Sequence, residues 1–255
     1  LGDVYKRQQQ YVVKIDGSLA NVSLFSDDAG RTWSFGEPFR HFGDENKVVE
    51  LSDGTLMMSA RVGGGMRGVA YSADGGKTWR DGKKDGQQID PTSNGTILRI
   101  YPDAKPGDPK AKMLMLLNSE DPNIRRNGTA KVSCDDGQTW PGRLTIEPNE
   151  SEYITGTPIY KGGQATGKVG ILVEREAYTT IAYTALDTTR MNMVCAPISA
   201  QQKGEGTEST PAKRISVVAG ERATLPLTIT NQGTQTLTPA QVSVTGYDKS
   251  EWTTT

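Results

Sequence analysis

The chain has 255 residues, room for one large or two modest domains, and with 35% apolar and 23% charged residues a packed core is feasible. A net charge of −1 argues against nucleic acid or an anionic membrane surface as the main partner. No apolar run approaches the roughly 18–20 residues that span a bilayer, and 29 glycines with 13 prolines suit many short strands and tight turns.

Taken in order, residues 1–8 read as a sequencing or assembly artefact. Asp3–Gln8 looks like the translated end of a library transposon, so the natural sequence is expected to begin near Gln9, inside a domain. Tyr11–Ile15 and Ala20–Phe25 read as strands joined by an Asp16-Gly17 turn. Lys47–Leu51 and Thr55–Arg61 form a second hairpin around Ser52-Asp53-Gly54. Val69–Tyr71 and Gly95–Tyr101 are further strands, and Pro102–Pro109 is a loop. Met113–Leu117 is apolar throughout, as in a strand buried on both faces. Gly128–Val132, Tyr153–Tyr160, Val169–Glu174 and Thr179–Leu186 complete the strands, with no amphipathic helix longer than two turns. From Ala200 the composition turns to Gln, Lys, Gly, Glu, Ser and Thr, a linker over 199–212. Residues 213–255 are Thr/Val-rich and look like the truncated start of an immunoglobulin-like sandwich.

One phrase punctuates this order. Ser26–Trp33, Ser72–Trp79 and Ser133–Trp140 all fit S-x-D-x-G-x-T-W, at steps of 46 and 61 residues. Asp and Ser side chains capture nearby backbone N–H groups and Gly supplies a positive φ, so the phrase is a turn between antiparallel strands. Its Trp packs beneath. A repeat near 40–50 residues points to a propeller, and residues 9–198 would make about four blades. The pattern is the Asp box, shared by sialidases and unrelated carbohydrate-active or lectin-like propellers. It predicts blades, not chemistry.

Four further segments carry a narrower resemblance. Asp44–Gly54 with Ser59-Ala60-Arg61 is similar to the glutamate-to-arginine segment of secreted bacterial exo-sialidases of glycoside hydrolase family 33. Arg125-Arg126-Asn127-Gly128-Thr129 resembles the segment bearing the last arginine of their carboxylate-binding triad. Ser151-Glu152-Tyr153 resembles their nucleophile segment, and Ile171-Leu172-Val173-Glu174 their L-[LY]-x-E strand. The resemblance covers 9–198 and implies an all-β fold, a partial six-bladed propeller followed by the sandwich. It also implies a secreted or cell-surface location, sialylated glycans as partners, and no cofactor.

It further implies roles. A sialoside carries a carboxylate on the anomeric carbon, and the planar, permanently charged fork of arginine grips a carboxylate bidentately. Arg61 and Arg125 are the candidates for two of three such forks. That carboxylate would repel an acidic nucleophile, so sialidases use tyrosine. Here that is Tyr153. A phenol is weak at its ordinary pKa near 10 and needs a base, assigned to Glu45. Glu174 would orient the first triad arginine.

Rivals stand beside each. Strand alternation lets only one of Arg125 and Arg126 enter the site, and Arg125 holds the family register. Glu45 competes with Glu50, which reads as solvated. Arg67 reads as a solvated strand charge and His41 as a surface loop residue. Gly63-Gly64-Gly65 lacks the Lys-Ser/Thr and helix of a phosphate loop. Cys134 and Cys195 form no metal motif and are either bonded to each other or free. The family's first triad arginine and its aspartate acid/base are not found upstream of Ser26, so the 255-residue chain alone is expected to be inactive or nearly so. The alternatives are a trans-sialidase, a non-catalytic Asp-box propeller that binds glycans or proteins, and a structural surface protein.

Overall fold

The computed structural model describes residues 7–42 and 44–188, with 7–14 as backbone. The chain divides into two compact units, Leu1–Cys195 and Ala196–Thr255, and the described residues all belong to the first. The linker, the sandwich strands and Cys195 lie outside the described residues. Cys134 is held in a disulfide.

Just over half of the described residues lie in strands, with no α-helix among them. They form β1 (Arg7–Ile15), β2 (Ser18–Ser26), β3 (Ser34–Phe35), β4 (Asn46–Glu50), β5 (Leu56–Ala60), β6 (Met66–Ser72) and β7 (Arg80–Ile89). They continue through β8 (Thr96–Arg99), β9 (Leu114–Ser119), β10 (Arg126–Ser133), β11 (Gly142–Glu150), β12 (Ile154–Lys161), β13 (Gln164–Arg175) and β14 (Thr180–Asp187). A 3-10 turn, Pro109–Lys112, lies between β8 and β9. The strands make four antiparallel meanders in chain order: β1–β3, β4–β7, β8–β11 and β12–β14. The first strands of the last three are neighbours, β4 against β8 and β8 against β12.

Alternation explains why these sheets stack. In β9, Leu114 and Leu116 enter a core shared with Val49, Met57 and Val69 of the preceding sheet. Met115 and Leu117 enter the next core, with Ile154, Val169 and Ile171 of the following sheet. Met57 and Met58 of β5 diverge in the same way, Met58 joining Phe39, Phe42 and Trp79. A sheet clamped on both faces needs the unbroken apolar run that alternation would otherwise forbid. Each such buried side chain contributes about 1.5–3 kcal/mol.

All three Asp boxes fold alike. In the third, Gly137 N–H donates to Ser133 Oγ at 2.8 Å, and Thr139 donates its N–H to Asp135 Oδ1 at 2.8 Å and its hydroxyl to Oδ2 at 2.6 Å. The others repeat these bonds around Asp28 and Asp74. The box glycines sit at φ +86°, +87° and +81°. Boxes also stitch sheets together. Trp79 Nε1 donates to Ser23 Oγ at 2.7 Å, and Ser52 donates its N–H and hydroxyl to Asp136 at 2.9 and 2.6 Å.

The read strands recur with shifted ends, but β3, β7 and β11 are additional. Arg80–Ile89 and Gly142–Glu150 are outer strands of their sheets, mostly exposed on both faces, and so lack the apolar alternation that marks a strand.

Candidate functional site

The box turns occupy one end of the strands. The opposite end carries the start of β4, the end of β5, the start of β10, the start of β12 and the β13–β14 turn. There the candidate residues meet. Glu45 and Arg61 are neighbours across the β4–β5 hairpin, locked by an Arg61 N–H to Glu45 carbonyl bond of 2.8 Å. Their side chains pair, Arg61 Nη1 to Glu45 Oε2 at 3.0 Å, with Asp44 Oδ2 at 3.4 Å from Arg61 Nε. The same Nη1 donates to the Tyr153 hydroxyl at 3.4 Å, across 92 residues of sequence. No direct bond joins Glu45 to Tyr153 among the described residues. Both lie on one guanidinium nitrogen.

Arg125 closes the group from the third sheet. Its Cζ lies 5.3 Å from the Tyr153 ring centroid, a cation–π arrangement. Its Nη1 donates to the Tyr178 hydroxyl and its Nη2 to the Thr92 carbonyl at 3.2 Å. Both partners are neutral, and no carboxylate lies within ion-pair reach among the described residues. Arg126 also lines the cleft on this side but is paired with Asp121 at 2.7 Å. A register shift in β10–β11 follows between Arg126 and Gly128, with Asn127 at φ +56°. Backbone bonds tie the segments together: Ser151 N–H to Arg125 O at 3.0 Å, and Glu174 N–H to Tyr153 O at 2.9 Å.

Glu174 stands beside Tyr153 in β13 and does not touch the arginines. Its Oε2 is buried without a hydrogen-bond partner, as is Oε2 of Glu152. Burial pushes the Glu152 carboxyl up, and repulsion from Glu150 and Glu174 adds to it. A cleft of about 690 Å³ opens beside this group, with Arg125, Glu150, Glu152 and Tyr178 in its wall.

Glu50 is exposed on β4, away from the group, and His41 is exposed and stacked on Phe39 at 5.0 Å. Arg67 differs from its reading as a solvated charge. It is fully buried and paired with Asp90 at 3.0 Å. Its partner lies 23 residues on, with no local mark in the sequence. Tyr178 joins the group without any mark in the sequence. Its ring meets Tyr153 edge-on at 6.3 Å, carried by a turn in which Glu176, Ala177 and Tyr178 all have φ between +51° and +67°. Three successive non-glycine residues in that region are unusual, and nothing local in Glu-Ala-Tyr announces them. No group of three metal-binding side chains occurs among the described residues, nor a helix long and apolar enough to cross a membrane.

Comparison with known proteins gives the family and the fold. The BNR repeat-like domain matches residues 9–206. A sialidase of Micromonospora viridifaciens is 35% identical over 227 residues, which is 88% of this chain and 32% of that protein. An anhydrosialidase of Macrobdella decora is 31% identical over 163 residues, 60% of this chain and 21% of that protein. Among solved structures, a NanB sialidase from Streptococcus pneumoniae superposes with a TM-score of 0.56 at 21% identity, over 72% of this chain and 29% of that one. The chain spans about a third or less of the length of these relatives.

Proposed function

The chain belongs to the BNR repeat-like domain family, and from that membership we propose that it is the tyrosine- and arginine-bearing part of an exo-α-sialidase. The substrates would be terminal sialic acids on glycoconjugates, met outside the cell or at its surface. One observation carries the proposal: Arg61 Nη1 holds the Glu45 carboxylate at 3.0 Å and the Tyr153 phenol at 3.4 Å, while the Arg125 guanidinium lies over the same ring.

In this reading the sialoside carboxylate lies between Arg61 and Arg125. Arg125 suits it because its present partners are neutral oxygens, so its charge is unspent. Glu45 takes the phenolic proton as Tyr153 attacks the anomeric carbon, and the glycosidic bond breaks. The leaving oxygen needs a proton from a general acid. Asp44 is the aspartate beside the group, and it is already paired with Arg61. The acid is therefore assigned to a segment outside the described residues. Water then attacks the tyrosyl glycoside and gives its proton to the conjugate base of that acid, Glu45 returns its proton to the departing Tyr153 oxygen, and two displacements at one carbon retain its configuration. Glu174, with its unpartnered buried oxygen, would receive a third arginine from outside the described residues.

The chain alone is expected to bind 3′-sialyllactose by calorimetry but to leave a fluorogenic sialoside essentially intact. In a longer protein carrying this segment, Tyr153→Phe should abolish turnover while leaving sialoside affinity within a few fold. Full turnover by the phenylalanine variant would remove Tyr153 as the nucleophile, whereas sialoside binding with no turnover even in the unsubstituted longer protein would leave only a glycan-binding propeller, the alternative favoured by the absent Glu45–Tyr153 bond.

A further inference from the structure

Behind the Glu45, Arg61, Arg125 and Tyr153 group lies a polar cluster with no part in the chemistry above. At its centre is Arg67 of β6, fully buried. Its Nε donates to Ser59 Oγ at 2.8 Å, and its Nη1 donates to Asp90 Oδ2 at 3.0 Å and to the Ser93 carbonyl at 2.9 Å. Nη2 reaches the Ser59 carbonyl at 3.3 Å. Asp90 is equally buried and equally committed. Its Oδ1 accepts the Ser93 N–H at 2.8 Å, its Oδ2 the Asn118 amide at 3.1 Å, and its own N–H donates to the Gly65 carbonyl at 3.1 Å. A buried charge so enclosed cannot drift, because each displacement strands several polar groups at once.

What this anchor holds is the short loop Asp90-Pro91-Thr92-Ser93, and the loop touches both halves of the site. The Ser93 hydroxyl donates to the Glu152 carbonyl at 2.6 Å, one residue before Tyr153. The Thr92 carbonyl accepts from Arg125 Nη2 at 3.2 Å. Thr92 has φ +65°. A β-branched residue there is a conformational outlier, retained only where its surroundings dictate it. Here its carbonyl faces Arg125 while the next hydroxyl faces the tyrosine segment.

We propose that the Arg67–Asp90 pair is a positioning device that sets the Arg125 guanidinium against the Tyr153 ring through Thr92 and Ser93. The inference rests on the sialidase reading only for what the spacing is used for. The spacing itself is a property of the free chain. Arg67 and Asp90 act through the loop and are positioning residues.

The test uses Ser93→Ala, which removes one hydroxyl, and Thr92→Gly, which frees the outlying φ. Arg67→Met serves as a third variant, read only if it folds. Three quantities are measured on the whole chain: melting temperature, 3′-sialyllactose dissociation constant, and the Tyr153 ring carbon shifts in tyrosine-labelled protein. Ser93→Ala and Thr92→Gly should shift the Tyr153 resonances and weaken sialyllactose by about tenfold, as small misplacements of a binding group do, with little change in melting temperature. Unmoved Tyr153 resonances in both variants would overturn the inference, whatever the melting temperature does. If the wild-type chain binds no sialyllactose yet the resonances move, the positioning role stands and the sialoside reading falls. If it binds and both variants bind equally with resonances unmoved, the reverse holds.

Discussion

Two adjacent arginines show how much depends on a single residue's surroundings. Arg126 spends its charge on Asp121, with its side chain 53% exposed. Surface pairs of that kind contribute about 0–1 kcal/mol. Arg125 meets only neutral groups, the Tyr178 hydroxyl, the Tyr153 ring and a carbonyl, so in the proposed reading its charge is left for an arriving carboxylate. Arg125→Lys keeps the charge but loses the fork that reaches Tyr178 and Thr92 together. Sialyllactose affinity should fall about tenfold or more, roughly 1.4 kcal/mol, whereas Arg126→Lys should stay within about twofold. Calorimetry on the two variants decides it, and equal losses would contradict the distinction. In the sequence, alternation says only that one of the two can enter a site, and the choice of Arg125 comes from the register of the family it resembles. Tyr178 and Arg67 were not separable that way. Tyr178 depends on a turn whose left-handed residues are non-glycine, and Arg67 on an aspartate brought in from another loop.

At the scale of elements, the repeated turn was legible because the bonds that shape it are local. The side chains of Ser, Asp and Thr in each box bond to one another and to backbone N–H groups within the same eight residues. The outer strands β7 and β11 were not, because their pairing comes from the neighbouring strand and not from their own pattern. The boxes also carry a titration. The Asp28 carboxyl is held at about 2, first by the Thr32 N–H and then by its hydroxyl. For Asp74 burial opposes the shift, but the Thr78 hydroxyl and N–H outweigh it and again leave about 2. Lowered carboxyl values stabilise the folded state fully above the ordinary value near 4, and that stabilisation is lost as pH falls through about 2. The melting temperature should therefore drop steeply between about pH 4 and 2. Asp28→Asn with Asp74→Asn should lower it at neutral pH and flatten that drop. A circular-dichroism melt at each pH measures both, and an unchanged slope would remove the boxes from acid sensitivity.

Across the whole unit, the same strands hold two loop sets apart. β10 begins beside Arg125 and ends at Ser133 of the third box. Eight residues at about 3.3 Å each separate those ends by roughly 26 Å. The far end fastens sheet to sheet, through Asp136 with Ser52 and Trp79 with Ser23. The near end gathers Glu45, Arg61, Arg125 and Tyr153 from three sheets, a convergence no single segment encodes. Stability and binding should then respond to different substitutions. Asp135→Ala strips the bonds from Ser133 and from the Thr139 amide and hydroxyl. Losing about 2 kcal/mol this way should lower the melting temperature by roughly 4–8 °C, with sialyllactose affinity at 20 °C unchanged within about twofold, since mutations this far apart rarely couple. Arg125→Lys should do the opposite, weakening the ligand and leaving the melt nearly in place. If Asp135→Ala weakened binding well below its melting temperature, the sheets would have to transmit strain along β10, and the division of labour between the two ends would be wrong.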